Sequence, residues 1–231
     1  MGEHVTSAHV TLQASDGHNF DAYVARPAGE PIAGLVVIQE AFGVNSHIRS
    51  VADDFAKDGF LAVAPALFDR VERGVELNYT QEDMQKGMAL IRQGDSVDRL
   101  KDIAAALDYA RSETGKKAGV IGYCLGGSMA WLAATRLDPS VAVGYYGSQI
   151  PTYAAEKPKA PVMLHFGALD THIPKEQIDS KVAAAHPDIP IFWYEGAGHG
   201  FNTSDRASYN PEASMLARQR SLEFLKHHLT A

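Results

Sequence analysis

The chain has 231 residues, 45% hydrophobic and 21% charged, a globular composition long enough to bury a core without disulfide or metal staples. Twenty-eight acidic against 21 basic residues give a formal net charge of −7, and the nearest approach to a basic block is Lys116-Lys117, so no nucleic-acid partner is expected. The one cysteine, Cys124, excludes an internal disulfide, residues 1–6 lack the basic-then-apolar pattern of a signal peptide, and no apolar run approaches the roughly 20 residues of a membrane helix, so a cytoplasmic chain without a membrane partner is expected.

Residues 5–13 and 20–26 alternate between apolar and polar and flank Asp16-Gly17, which predicts a β-hairpin. Short, nearly continuous apolar runs follow at 34–38, 60–65, 118–122, 141–146, 161–166 and 190–194, the pattern of parallel strands covered on both faces. Between them, helices are expected over 46–58, 81–93, 98–113, 126–137 and 174–185, with a last one over 212–229. The clearest is 98–113, where Leu100, Ile103, Ala104, Leu107 and Ala110 recur at helical spacing. The polar stretch 69–80 reads either as a pocket wall or as a plain surface loop. Strands alternating with helices predict an α/β fold. Its sheet is mostly parallel, edged by the antiparallel hairpin and covered by helices on both faces, in a single domain over 1–231.

One motif carries chemistry. Residues 120–128 read VIGYCLGGS, a strand running into Gly122-Tyr123-Cys124-Leu125-Gly126 and then a helix. This is the nucleophile-elbow pattern with cysteine in the serine position. The tight turn needs small residues two places before and two after the nucleophile, and Gly122 and Gly126 meet that need. A helix N-terminus beneath the sulfur favours a thiolate. The plainer readings are a buried inert cysteine, a close-packing turn, or a phosphate loop; against the last, neither G-x-G-x-x-G nor a P-loop lysine is present.

An acid and a base follow in hydrolase order. Asp170 comes just after the apolar run 161–166 and before Pro174, and His199 lies in the small-residue loop Gly196-Ala197-Gly198-His199-Gly200 after the run 190–194. Taken singly, Asp170 could cap a helix and His199 could be an ordinary loop histidine. Together, in order and each at a strand end, they complete a Cys-His-Asp triad. His172 is a rival base, read rather as a pocket-rim or solvent residue. His4, His9, His227 and His228 offer no metal geometry, and no metal or organic cofactor is expected.

The segments QEAFGVN (39–45), GYCLGG (122–127), VGYYG (143–147), GALDTHIP (167–174) and WYEGAGHGF (193–201) run in order through most of the chain, which resembles the dienelactone hydrolase (carboxymethylenebutenolidase) family of the α/β-hydrolases. The resemblance implies Cys124 as nucleophile, His199 as base and Asp170 as its orienting acid. It also implies a fourth group, Glu40, whose carboxylate in the family meets the resting thiol; a solvated loop glutamate is the alternative. In this fold the oxyanion is held by backbone N–H groups, here those of Leu125 and Ala41.

Family members that open dienelactones clamp the substrate carboxylate with arginines. Arg206 is the candidate here, unless it pairs with Asp205 or Glu212. The stretch 83–88, where the family has a second arginine and a tyrosine, holds neither, and Arg70 or Lys86 would have to substitute. Tyr123, inside the elbow, either shapes the pocket or packs. The expected partner is a small enol-lactone or ester of the dienelactone type, opened through an acyl-thioester by a monomer or small homo-oligomer. The alternatives are a broad thiol carboxylesterase or thioesterase and, further off, a non-catalytic receptor or redox sensor.

Overall fold

The structure, a computed structural model, describes residues 4–231; residues 1–3, on which the signal-peptide reading partly rests, lie outside the described residues. The hairpin forms β1 (Thr6–Gln13) and β2 (Asn19–Arg26), fully in register from Thr6 opposite Arg26 to Gln13 opposite Asn19. Gly17 supplies the left-handed backbone of its turn, at φ +86°. The six apolar runs become β3 (Ala33–Ile38), β4 (Phe60–Pro65), β5 (Ala118–Tyr123), β6 (Ala142–Tyr145), β7 (Val162–Gly167) and β8 (Ile191–Tyr194).

These make one sheet of eight strands in the order β1-β2-β4-β3-β5-β6-β7-β8. The β1–β2 and β2–β4 pairs are antiparallel and the other pairs parallel, so all carboxyl ends from β3 to β8 point the same way. Every residue of β3, β4, β5, β6 and β7 is buried, which explains their nearly continuous apolar character, broken by His165 of β7.

The helices are α1 (Ser46–Lys57), α2 (Gln81–Gln93), α3 (Ser96–Thr114), α4 (Leu125–Arg136), a short α5 (Lys175–Gln177) and α6 (Pro211–Thr230). Local chemistry sets their ends. The side chains of Asn45, Thr80, Asp95 and Asn210 accept first-turn N–H groups of α1, α2, α3 and α6, and Gly115 ends α3 at φ +63°. The single helix expected over 174–185 is instead α5 followed by a wide π turn, Ile178–Ala183. Its two inward residues, Ile178 and Val182, are fully buried, and the wider turn keeps both against the core. Helices cover both faces: α3 and α4 pack on each other, while α1 and α6 are joined by the Arg218–Asp58 ion pair.

The polar stretch 69–80 packs beside the loop leaving β3 and lends no residue to the lining of the cavity at Cys124. Val75 and Leu77 are buried with Phe42 and Phe68, and Leu77 donates its N–H to the Phe42 carbonyl at 2.9 Å. Gly43 and Glu76 form an antiparallel bridge, and at Gly43 (φ +77°) a Cβ would stand 2.0 Å from the Val75 carbonyl oxygen. This stretch therefore lies against the loop leaving β3.

Candidate active site

Cys124 joins β5 to α4 at φ +57° and ψ −112°, a conformation that costs a non-glycine residue about 1–3 kcal/mol. The surroundings hold it there. Its N–H donates to the Tyr145 carbonyl at 3.0 Å, and its carbonyl accepts from Gly127 and Ser128 at 3.0 and 3.2 Å. A Cβ on Gly122 would lie 1.9 Å from the Gly126 carbonyl oxygen, and one on Gly126 would lie 2.3 Å from that of Ile38. The two glycines demanded by the motif are thus sterically required. Unlike the N-cap side chains of α1, α2, α3 and α6, the thiol makes no capping bond to its own helix.

The sulfur lies 3.3 Å from His199 Nε2, and His199 Nδ1 lies 2.7 Å from Asp170 Oδ2. The second Asp170 oxygen accepts the His172 N–H at 2.9 Å. Two backbone bonds fasten the acid loop to the base loop: Ala168 N–H to the Tyr194 carbonyl at 2.9 Å and Leu169 N–H to the Ala197 carbonyl at 2.8 Å.

Charge follows from this geometry. Burial works against an imidazolium at His199, but the Asp170 carboxylate and the Cys124 sulfur outweigh it and push the group up to about 10. Burial likewise works against the Asp170 carboxylate, yet its bonds to His199 and the His172 N–H bring it below its ordinary value. The arrangement favours an imidazolium between a carboxylate and a sulfur.

Glu40 is fully buried at the end of β3. Its Oε1 accepts from Thr203 Oγ1 at 2.8 Å and lies 4.0 Å from Arg206 Nη1; its Oε2 is 3.5 Å from the Tyr79 hydroxyl. It is therefore no solvated loop residue. Its hydrogen bonds run to Thr203 and Tyr79, while the sulfur is bonded to His199, so the carboxylate–thiol contact implied by the resemblance does not occur in this arrangement. The guanidinium of Arg206 also stands 5.6 Å over the Phe42 ring. Its partners are thus Glu40 and Phe42, not Asp205 or Glu212.

The sulfur opens into a cavity of about 310 Å³. Ala41, Phe42, Met84 and Met88 form its apolar wall, and Ser148, His172, His199 and Arg206 its polar side. The backbone N–H groups of Leu125 and Ala41 donate to no acceptor among the described residues. Among those residues, too, no group of three or more His, Cys, Asp or Glu could hold a metal ion, and no helix is long and apolar enough to cross a membrane.

Two sequence candidates lie elsewhere. Arg70 is paired with Asp102 at 2.8 and 2.9 Å and with Asp16 at 2.9 Å, which ties the end of β4 to α3 rather than to the cavity. Tyr123 is buried against Tyr145, ring centroids 4.7 Å apart, and borders a separate cleft beside α1 and α6. Lys86 is paired with Glu72 at 2.8 Å. His172 does sit at the rim, 5.6 Å from the His199 ring.

Sequence reasoning missed Thr203 and Tyr79, which hold Glu40, and the Met84/Met88 face. The methionines were readable, since a four-residue spacing on a helix puts both on one side. Thr203 carried no signal, because it meets Glu40 across 163 residues.

Comparison with known proteins follows the same lines. The family model of the dienelactone hydrolase family matches residues 20–229. The carboxymethylenebutenolidase of Pseudomonas putida is 35% identical over 224 residues, covering 94% of each chain. That of Pseudomonas sp. strain P51 is 33% identical with the same coverage. The crystal structure of a Klebsiella pneumoniae protein presented as a dienelactone hydrolase superposes with a TM-score of 0.83 at 27% identity, covering 95% of this chain and 97% of that one. The Pyrococcus furiosus esterase Pf2001, at 16% identity and TM-score 0.69, shares the fold over 97% of this chain and 93% of its own.

Proposed function

The chain belongs to the dienelactone hydrolase family and is a carboxylic-ester hydrolase acting on an ester or lactone; on that premise we propose that Cys124 is its nucleophile, working with His199 and Asp170 on a small enol-lactone or ester. The observation that carries this reading is the unbroken chain from sulfur to imidazole to carboxylate at a strand-to-helix elbow, with links of 3.3 and 2.7 Å.

The steps follow from the charges. The Cys124 thiolate attacks the carbonyl carbon, and the carbonyl electron pair moves onto oxygen. The free N–H groups of Leu125 and Ala41 receive that oxyanion. Its collapse breaks the carbon–oxygen ester bond and forms the thioester. The departing oxygen takes the proton of the His199 imidazolium; in a lactone it stays tethered to the acyl group. Water then attacks the thioester while His199 removes its proton, and the thiolate leaves as the acid product forms. Asp170 fixes the ring so that Nε2 faces the sulfur. Glu40 balances Arg206 beside the site.

Acid-quenched mass spectrometry during turnover of p-nitrophenyl acetate and of a dienelactone tests the reading. One acyl adduct on Cys124 is expected, with no adduct and no turnover in a folded Cys124→Ala variant. Turnover retained in that variant would remove Cys124 from the mechanism.

A further inference from the structure

We propose that Tyr79 is a positioning residue for the site: fixed by Asn45, it donates to Glu40 and holds that carboxylate turned away from Cys124. The inference deepens the hydrolase reading above and rests on it for the turnover measurement alone.

Sheet register brings the two groups together. Ile38 of β3 pairs with Gly122 of β5, so Glu40 and Cys124 each stand two residues beyond that last shared rung, on adjacent strands. The Gly126 N–H donates to the Gln39 carbonyl at 3.0 Å and keeps the two strand ends in contact. Glu40 is fully buried, and a buried carboxylate oxygen without a donor turns to whatever donor is near; a thiol is one. The side chain must therefore be held where it is.

Hydrogen-bond direction names the holder. The Asn45 side-chain oxygen accepts the Ile48 N–H at 3.2 Å as the cap of α1, which leaves its NH2 on the other side of the amide. That group donates to the Leu77 carbonyl at 3.0 Å and to the Tyr79 oxygen at 3.1 Å. Because the Tyr79 oxygen accepts from Asn45, its own proton is directed to Glu40 Oε2, 3.5 Å away. Burial, and then the Glu40 charge, hold the phenol well above its ordinary value, so it stays a donor. The ring is packed edge-on to Phe42, centroids 4.6 Å apart. The other Glu40 oxygen accepts from Thr203 at 2.8 Å. Each carboxylate oxygen thus has one hydroxyl donor, and Tyr79 is the one anchored outside the loop that carries Arg206.

Tyr79→Phe tests this, since it keeps the ring and removes only the proton. The released oxygen should turn toward the sulfur, where a carboxylate disfavours the thiolate. Alkylation of Cys124, the chain's one cysteine, by iodoacetamide at pH 7 should slow about threefold or more. In a Glu40→Gln background no charge is left to turn, and adding Tyr79→Phe should leave the alkylation rate unchanged. Turnover of p-nitrophenyl acetate should follow the same pattern: kcat falls about threefold in Tyr79→Phe and no further when the change is added to Glu40→Gln. A purely structural role would slow both backgrounds alike.

Asn45→Asp is the second variant should Tyr79→Phe fail a circular-dichroism check. It keeps a cap oxygen for α1 but sets an acceptor where the NH2 stood, which draws the Tyr79 proton away from Glu40. It should reproduce the slower alkylation with the phenol intact, again only where Glu40 is present. Alkylation at or above the wild-type rate in the folded variant, or equal slowing in both backgrounds, would overturn the proposal. Absence of turnover in the wild type would count against the hydrolase reading alone, because alkylation still reports where the carboxylate lies.

Discussion

Gly87 of α2 faces the Ala41 carbonyl so closely that an added Cβ would stand 2.0 Å from its oxygen. The close approach fixes the loop whose N–H is proposed to receive the oxyanion. Alanine inside a helix ordinarily gains about 1 kcal/mol over glycine, but here the backbone contact forbids it without displacing either α2 or the loop. Gly87→Ala should lower kcat about tenfold or more, part of the roughly 10²–10³ that one oxyanion donor supplies. Alkylation of Cys124 by iodoacetamide, which forms no oxyanion, should stay near the wild-type rate. A kcat left unchanged would take Ala41 out of the oxyanion site.

Glu40→Gln keeps shape but removes the carboxylate beside Arg206. Turnover should fall about tenfold, short of the 10²–10⁴ of a direct acid–base group, because the carboxylate acts through Arg206. Steady-state kinetics on p-nitrophenyl acetate checks this, and wild-type kinetics would exclude Glu40 from the site's chemistry.

Half-buried His199 and fully buried His165 together predict an optimum in stability. His199 is raised to about 10, so its contribution is complete below the unfolded value near 6.5 and is lost as pH climbs toward 10. His165 is pushed down to about 3 by burial and by Arg220, so its contribution is complete above about 6.5 and is lost as pH falls toward 3. Urea unfolding across pH 4–10 should therefore peak near pH 6–7. In Asp170→Asn the alkaline decline should soften, and kcat should fall by about 10³–10⁴ because the ring loses its orienting carboxylate. An alkaline decline of unchanged steepness would contradict the assigned pair.

A polar chain runs through the core beneath the site. Arg220 donates to the Tyr194 hydroxyl at 3.3 Å, and that hydroxyl donates to His165 Nδ1 at 2.8 Å. His165 Nε2–H and the Tyr145 hydroxyl both donate to Ser221 Oγ, each at 2.9 Å, and Ser221 donates to the Ala217 carbonyl at 2.8 Å. The order fixes a neutral imidazole protonated on Nε2. Ser221→Ala strips the acceptor from two buried donors and should cost about 2–4 kcal/mol of unfolding free energy. A loss under about 1 kcal/mol would mean the donors find other partners.

Much of this was legible in the residues, for identifiable reasons. Strands such as Phe60–Pro65 are buried on both faces, so their apolar runs mark their ends closely. The elbow is legible because Gly122 and Gly126 answer a local steric demand, and Asp170 and His199 because strand ends project side chains to one edge. Long-range pairing was not legible. Arg70 is drawn away by Asp16 and Asp102, 54 and 32 residues distant, and nothing near it in sequence signals those partners. The wide turn at Ile178–Ala183 was equally silent, because its register is set by core packing rather than by capping chemistry.

The imidazole meets the sulfur across 75 positions of chain, and β8 and α6 come later still than the elbow. A ribosome adding about 5–20 residues per second leaves some 4–15 s in which the newborn chain carries its cysteine without the histidine proposed to activate it. Vectorial synthesis thus keeps the sulfur without that neighbour until the loop bearing His199 emerges. Under the proposed mechanism, reactivity is switched on only when the final third of the polypeptide closes the sheet, so a truncated product would carry the sulfur without its chemistry.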